Sequence, residues 1–200
     1  MIKYSVLHRN EDQNLASIHL EAFHGFFLSS LGKGFLKAYY KAALNSVKTI
    51  AVCATDEKGQ ILGFGTGGVQ SKGYHKQLIL HNLVTFMYQG MILLFKNPKA
   101  LMRLAMNLDK ISSDNDDGNY GELISIGITD TFQGLGVGRN LIKLFEDEAR
   151  RRGCTKITLT ADYYNNEDVV AFYMHSGYHV LYEFDTYPQR RMYKLIKNLD

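Results

Sequence analysis

Apolar and polar residues recur with two different periods along this chain, and each change of period marks an element. Residues 2–7 read as a strand. Over 11–23 the apolar positions Leu15, Ile18, Leu20 and Ala22 fall at approximately helical spacing. Residues 26–44 read as further helix, broken near Gly32 and Gly34, with Phe35, Leu36, Tyr39 and Tyr40 on an aromatic-rich face. Two β-rich runs, 48–55 and 60–69, flank Asp56-Glu57-Lys58-Gly59 and predict a hairpin. Residues 74–106 are mainly helical, with Pro98 opening a new helix after Asn97. The polar run 112–119 reads as a loop, and 122–128 as an uninterrupted strand. A glycine-rich loop over 133–138 then opens a helix over 139–152, where Leu141, Ile142, Leu144, Phe145 and Ala149 face inward. Lys143, Glu146, Asp147 and Arg150 face outward on the same pattern. A strand (156–160), a short helix (167–175) and two closing strands (178–184 and 191–196) complete the chain.

Composition narrows the class. With 200 residues, 46% hydrophobic and 22% charged, the chain suits one soluble domain spanning 1–200, elaborated by a helical insertion at about 71–111. Cys53 and Cys154 are too few and too far apart for a disulfide framework or a zinc site, so packed thiols, a cytoplasmic location and no metal are expected. A net charge of +3, spread along the chain, offers no basic face for nucleic acid. Arg150, Arg151 and Arg152 read as cations complementing a helix C-terminus before Gly153. Residues 1–8 lack the basic start and apolar core of a secretory signal. Residues 78–95 approach the length of a membrane span, but His81, Asn82, Thr85, Gln89 and Gly90 interrupt them; a buried or interface helix is expected instead.

The chemistry starts at the loop Gln133-Gly134-Leu135-Gly136-Val137-Gly138-Arg139. Three alternate glycines strip side chains from the entry to a helix, so backbone N–H groups and the helix dipole can hold a phosphate. No lysine is present, which leaves the backbone and Arg139 to do so. A P-loop is excluded because no Lys-Ser or Lys-Thr follows. A Rossmann fingerprint requires G-x-G-x-x-G directly after the strand, whereas this sequence has G-x-G-x-G after an intervening Thr129 to Gln133. Asp162, at the end of the next strand, keeps a dinucleotide as a lesser alternative.

The segment Gln133-Gly-Leu-Gly136-Val-Gly138 resembles the Q/R-x-x-G-x-G/A pattern of the GNAT acetyltransferases. Downstream, Asn166-Glu-Asp-Val-Val-Ala171-Phe-Tyr173-Met-His-Ser-Gly177-Tyr178 is similar to that family's N-x-x-A/V-x-x-F/L-Y-x-x-x-G-F/Y segment at every anchor. Asn166 suits a helix start, and Gly177 suits its end. The resemblance implies an α/β fold of the GNAT type: a mixed, mostly antiparallel central sheet with a splayed parallel strand pair, flanking helices, and here a helical insertion between the third and fourth strands.

The resemblance also implies a mechanism. Acetyl-CoA is the co-substrate, its pyrophosphate on Gln133, Gly134, Leu135, Gly136, Val137, Gly138 and Arg139, and its pantetheine arm along the main chain of Ile126, Gly127 and Ile128. Asn166 and Tyr173 complete the expected cofactor side. An amine attacks directly, the oxyanion is stabilised near the Ile126 N–H, Tyr173 protonates the leaving thiolate, and Glu122 is the base, directly or through water. Tyr173 as a mere packing aromatic, and Glu122 as a solvated strand-end carboxylate, are the plainer alternatives. His75, His81 and His175 are weaker candidates.

For the acceptor, Phe23 to Leu36 with Tyr39-Tyr40 is loosely similar to bacterial GNAT proteins associated with surface-sugar pathways. This implies a small-molecule amine, such as an amino sugar, rather than a protein or peptide amine; a non-catalytic CoA-binding protein is the reading from another class. Tyr74, Phe86, Tyr88 and Phe95 in the insertion are expected in the core or in a homodimer interface, with an acceptor pocket as the alternative.

Overall fold

The computed structural model describes residues 1–7, 10–107 and 118–199. The elements run β1 (Lys3–Val6), α1 (Asp12–Ala22), α2 (Phe27–Ser30), α3 (Gly32–Asn45), β2 (Thr49–Thr55), β3 (Ile61–Gly68), α4 (Tyr74–His81), α5 (Leu83–Lys96), α6 (Pro98–Asn107), β4 (Gly121–Ile128), α7 (Val137–Arg151), β5 (Lys156–Asp162), α8 (Glu167–His175), β6 (His179–Thr186) and β7 (Arg190–Asn198). The strands form one sheet in the order β1-β2-β3-β4-β5-β7-β6. Only β4 and β5 pair in parallel among the described strands.

Strand periodicity divides the core into two layers. Along β2, Ile50, Val52 and Ala54 point to the face covered by α7, whereas Ala51 and Cys53 point to the face covered by α1 and α3. The hairpin before β3 closes on Asp56, whose Oδ1 accepts from the N–H groups of Lys58 (2.9 Å) and Gln60 (2.8 Å).

Two expectations need correction. Gly34 lies inside α3; the break falls at Leu31–Gly32, where Gly32 has φ +83°. Glu146 was expected in solvent but is buried, because Lys197 reaches across from β7 and its Nζ donates to the carboxylate at 2.7 Å. The arginine run behaves as expected, with one addition. Arg151 and Arg152 both clasp Glu148, and Arg152 also donates to the Thr49 carbonyl at 2.8 Å, tying α7 to β2.

The insertion folds as α4, α5 and α6. The expected polar loop lies outside the described residues over 112–117. The apolar segment 78–95 is not one rod: α4 and α5 meet at 94° around Asn82. Among the described residues, no single helix is long and apolar enough to cross a membrane. The segment is core only in part, with Leu78 and Leu93 buried in the cluster formed with α1 and α3. Tyr74 is buried and Phe86 partly so, but Tyr88 and Phe95 are exposed.

Candidate active site

The parallel pair β4–β5 is joined only from Gly121–Ile157 to Leu123–Leu159. Beyond Leu123 the strands part, so Ile126, Gly127 and Ile128 pair with β3 on one side and leave their β5 side open. A register shift between Thr66 and Gly67 bends the sheet where the parting begins. Gly67 permits that bend, since a Cβ there would stand 1.9 Å from the Glu122 carbonyl oxygen.

Past the end of β4, a short 3-10 turn (Asp130–Phe132) leads into the glycine loop. Gly134 and Gly136 have φ of +75° and +78°, and a Cβ on either would meet nothing within 4 Å. The loop is therefore an open cradle of backbone N–H groups. No side chain caps α7, so its first N–H groups have no capping partner. Gly138 does something different: it lets the helix approach Ile128 and Phe172, whose side-chain atoms would lie 3.2 and 3.5 Å from an added Cβ. Gln133 braces the loop, its Nε2 donating to Asp130 Oδ1 at 2.9 Å and the Ile128 carbonyl at 3.3 Å. Arg139 is exposed in the first turn of α7, and Leu135 is exposed at the loop tip.

On α8, Asn166 occupies the N-cap position, but its side chain makes no capping bond; Nδ2 donates instead to the Asp162 carbonyl at 3.2 Å. That bond ties the end of β5 to the start of α8. Tyr173 is buried in the same cluster as Ile126, Ile128 and Ala161, and burial pushes its pKa up to about 12. Its phenol keeps its proton at neutral pH.

On the opposite side of β4 lies a half-open cavity of about 470 Å³ lined by α2 to α6 and the β6–β7 end of the sheet. Its walls are mostly carbon, from residues such as Phe27, Leu31, Phe86 and Leu104. Glu122 and His75 supply polar groups there. Glu122 is not the solvated carboxylate of the plainer alternative. It is buried, Ser71 donates to its Oε2 at 2.6 Å, and Lys194 Nζ sits 2.5 Å from its Oε1. Desolvation lowers the His75 pKa below its ordinary value, Glu122 pulls it back up, and Lys194 lowers it again. The imidazole is therefore neutral at pH 7 and able to take a proton. At the other end, Arg190 grips both carboxylate oxygens of Asp162, which occupies the acid expected of a ribose-binding site, and Arg103 lies 4.6 Å above the Phe27 ring.

Residues 17–178 match the model of the acetyltransferase (GNAT) family. The chain belongs to the GNAT family. This is an acetyltransferase family that uses acetyl-CoA, and the open cradle, the splayed strands and the protonated Tyr173 fit that co-substrate. Solved GNAT-like structures share the fold at low identity. An aminoglycoside 6'-N-acetyltransferase complexed with coenzyme A is 16% identical over 99% of this chain and 97% of its own, with a TM-score of 0.62. A Corynebacterium glutamicum protein of the histone acetyltransferase HPA2 and related acetyltransferase group is 12% identical over 98% and 96%, with a TM-score of 0.66. The NatC complex bound to a Gag peptide and CoA gives 15% identity over 100% and 99%, with a TM-score of 0.55. A comparison with curated proteins finds no match.

Within this GNAT frame, the loop residues and Ile126 to Ile128 fall along one side of β4, and Glu122 opens onto the other. Ser71, His75, Lys194 and the Asp162–Arg190 pair were not singled out together by sequence, since they come from three separate elements and a loop. An alternating β7 run with Lys194 at an inward position was the one available signal. His81 and His175 take no part: both are exposed, bonded to carbonyls one turn back on their own helices.

Proposed function

We propose that this protein transfers the acetyl group of acetyl-CoA to the primary amine of a small molecule held in the cavity under α2 to α6. The observation that carries this reading is the placement of Glu122 and His75 on the cavity wall, beside the point where β4 and β5 part. The cradle of Gln133, Gly134, Leu135, Gly136, Val137, Gly138 and Arg139 would hold the pyrophosphate, and the open edge of Ile126, Gly127 and Ile128 the pantetheine arm, with Asn166 and Tyr173 beside it. Acetyl-CoA supplies an activated acyl group as a thioester. Tyr173 holds a proton at its hydroxyl for the departing sulfur. Neutral His75 takes the proton of the incoming amine, and Glu122, fixed by Lys194 and Ser71, holds the resulting imidazolium or passes the proton through water.

A recess of about 470 Å³ lined on one side by five helices favours a small acceptor over a protein chain. The carbon-rich walls favour an amine with an apolar body; an amino sugar fits this site best when it carries an apolar substituent. An acceptor panel tests the reading: thiol release from acetyl-CoA is measured with unsubstituted amino sugars, aralkyl amines and lysine peptides, beside CoA binding by calorimetry. Apolar amines should give kcat/KM about 10-fold or more above the unsubstituted sugars, since burying a few methylenes differentiates acceptors by that order. CoA binding with no turnover on any amine would sink the catalytic reading.

A further inference from the structure

Helix α5 wears its apolar stripe on the outside. Val84, Met87, Tyr88, Met91, Leu94 and Phe95 recur at the spacing of one helical face, yet all are exposed, Val84 at 83% and Phe95 at 81%. Leu93 alone on this helix is fully buried. α6 adds exposed Met102 and Met106, one turn apart. Scattered apolar residues on a surface need no explanation, but a continuous stripe does.

Charge identifies what covers it. Helices α2 to α6 contain seven Lys and Arg residues and no Asp or Glu, although the whole chain carries only +3. Acids are missing from this layer, so net positive charge collects there, contrary to the even spread expected from sequence. Lys33, Lys37, Lys41, Lys76, Lys96 and Lys99 are exposed, and none pairs with a carboxylate among the described residues. A second copy docked by two-fold symmetry would bring this patch against itself, where no acid on these helices answers Lys96 and Lys99. An anionic bilayer answers both features, with an acyl boundary for the stripe and negative headgroups for the lysines. The 94° bend between α4 and α5 rules out a single crossing rod but suits a helix lying in the membrane plane.

We propose that α5, flanked by α4 and α6, docks the protein onto anionic membrane surfaces. The inner face of the same helix contributes Phe86 and Gly90 to the cavity. Docking would thus set the cavity beside the lipid, within reach of an amphiphilic molecule.

The test is co-sedimentation of the full-length chain with vesicles of phosphatidylcholine alone or with 30% phosphatidylglycerol, alongside sedimentation velocity without lipid. The expected result is binding that requires phosphatidylglycerol and weakens with salt. The surface variant Val84→Ser/Met91→Ser/Phe95→Ser, with folding checked by circular dichroism, should lose binding about 10-fold or more. Lys96→Glu/Lys99→Glu should lower it by about 25-fold or more, at about fivefold for each lysine lost near an anionic leaflet. Absence of binding to phosphatidylglycerol vesicles, or full binding by the triple-serine variant, overturns the proposal. So does a wild-type dimer that the triple variant dissolves while neither form sediments with lipid; that outcome assigns the stripe to self-association.

Discussion

Lys194 Nζ lies 2.5 Å from Glu122 Oε1, and the lysine side chain is only 1% exposed. Two charges taken out of water together are tolerable only while each has the other. Lys194→Met would leave Glu122 with Ser71 as its remaining partner. It should destabilise the fold by about 3–5 kcal/mol in a urea titration. Lys194→Met/Glu122→Gln should recover part of that loss, because the stranded charge is gone. A single variant within about 1 kcal/mol of wild type would show that water reaches the pair.

His75 gives a prediction in pH. Its pKa is lowered, chiefly by burial, so it stays neutral below the usual histidine range. If it takes the amine's proton, the acid limb of kcat/KM lies below pH 6.5 and rises to a plateau as pH increases through the lowered pKa. His75→Gln should remove that limb and reduce kcat/KM at pH 7 by about 10²-fold. An unchanged limb in the variant assigns it to another group.

His19 tests the fold rather than the reaction. It is buried, its Nδ1 lies 2.6 Å from the Tyr40 hydroxyl, and desolvation lowers its pKa to about 4. Below pH 6.5 the unfolded chain binds a proton that the folded chain refuses, so stability falls as pH drops from about 6.5 towards 4. The loss should be on the order of 3 kcal/mol and missing from His19→Gln. Chemical denaturation of both forms at pH 7, 5.5 and 4.5 measures it, and parallel pH dependences would dismiss His19 as the source.

How far the sequence could be read follows from what each element depends on. α8 is bounded by local signals at Asn166 and Gly177, and its limits agree with those expected. The glycine loop was likewise legible, because a left-handed turn needs particular residues at particular places. Glu146 was misread because helical spacing placed it outside while its compensation came from Lys197, 51 positions away. The role of His75 was obscure for the same reason: its electrostatic neighbours Glu122 and Lys194 come from β4 and β7. The stripe on α5 had the correct period, but a period fixes a face and not which way the face turns.

The cradle makes a prediction with the fold as its control. Gly136 has φ +78° and opens onto empty space, so Gly136→Trp both strains the turn and fills the room over the N–H groups. Acetyl-CoA affinity should fall about 100-fold or more by calorimetry, while the thermal midpoint drops by only a few degrees, since nothing in the fold packs there. Undiminished affinity in a folded variant would remove the cradle from the cofactor site.

Tyr173 sits in the cluster that lines the open side of β4, and burial holds its pKa near 12, so its hydroxyl has a proton to give throughout the neutral range. Tyr173→Phe keeps the ring, and with it the contacts to Phe172 and Tyr178 at 5.3 and 5.9 Å between centroids. Packing and acetyl-CoA affinity should therefore change little. Single-turnover rates with an accepted amine should fall about 10²-fold if the phenol protonates the departing thiolate. The deficit should shrink for a thioester whose leaving thiol is more acidic, because such a thiolate needs no donor. That second comparison separates proton donation from a shift in ring position, which would slow both thioesters alike. A variant with the full single-turnover rate leaves Tyr173 as a packing residue and moves proton delivery to water.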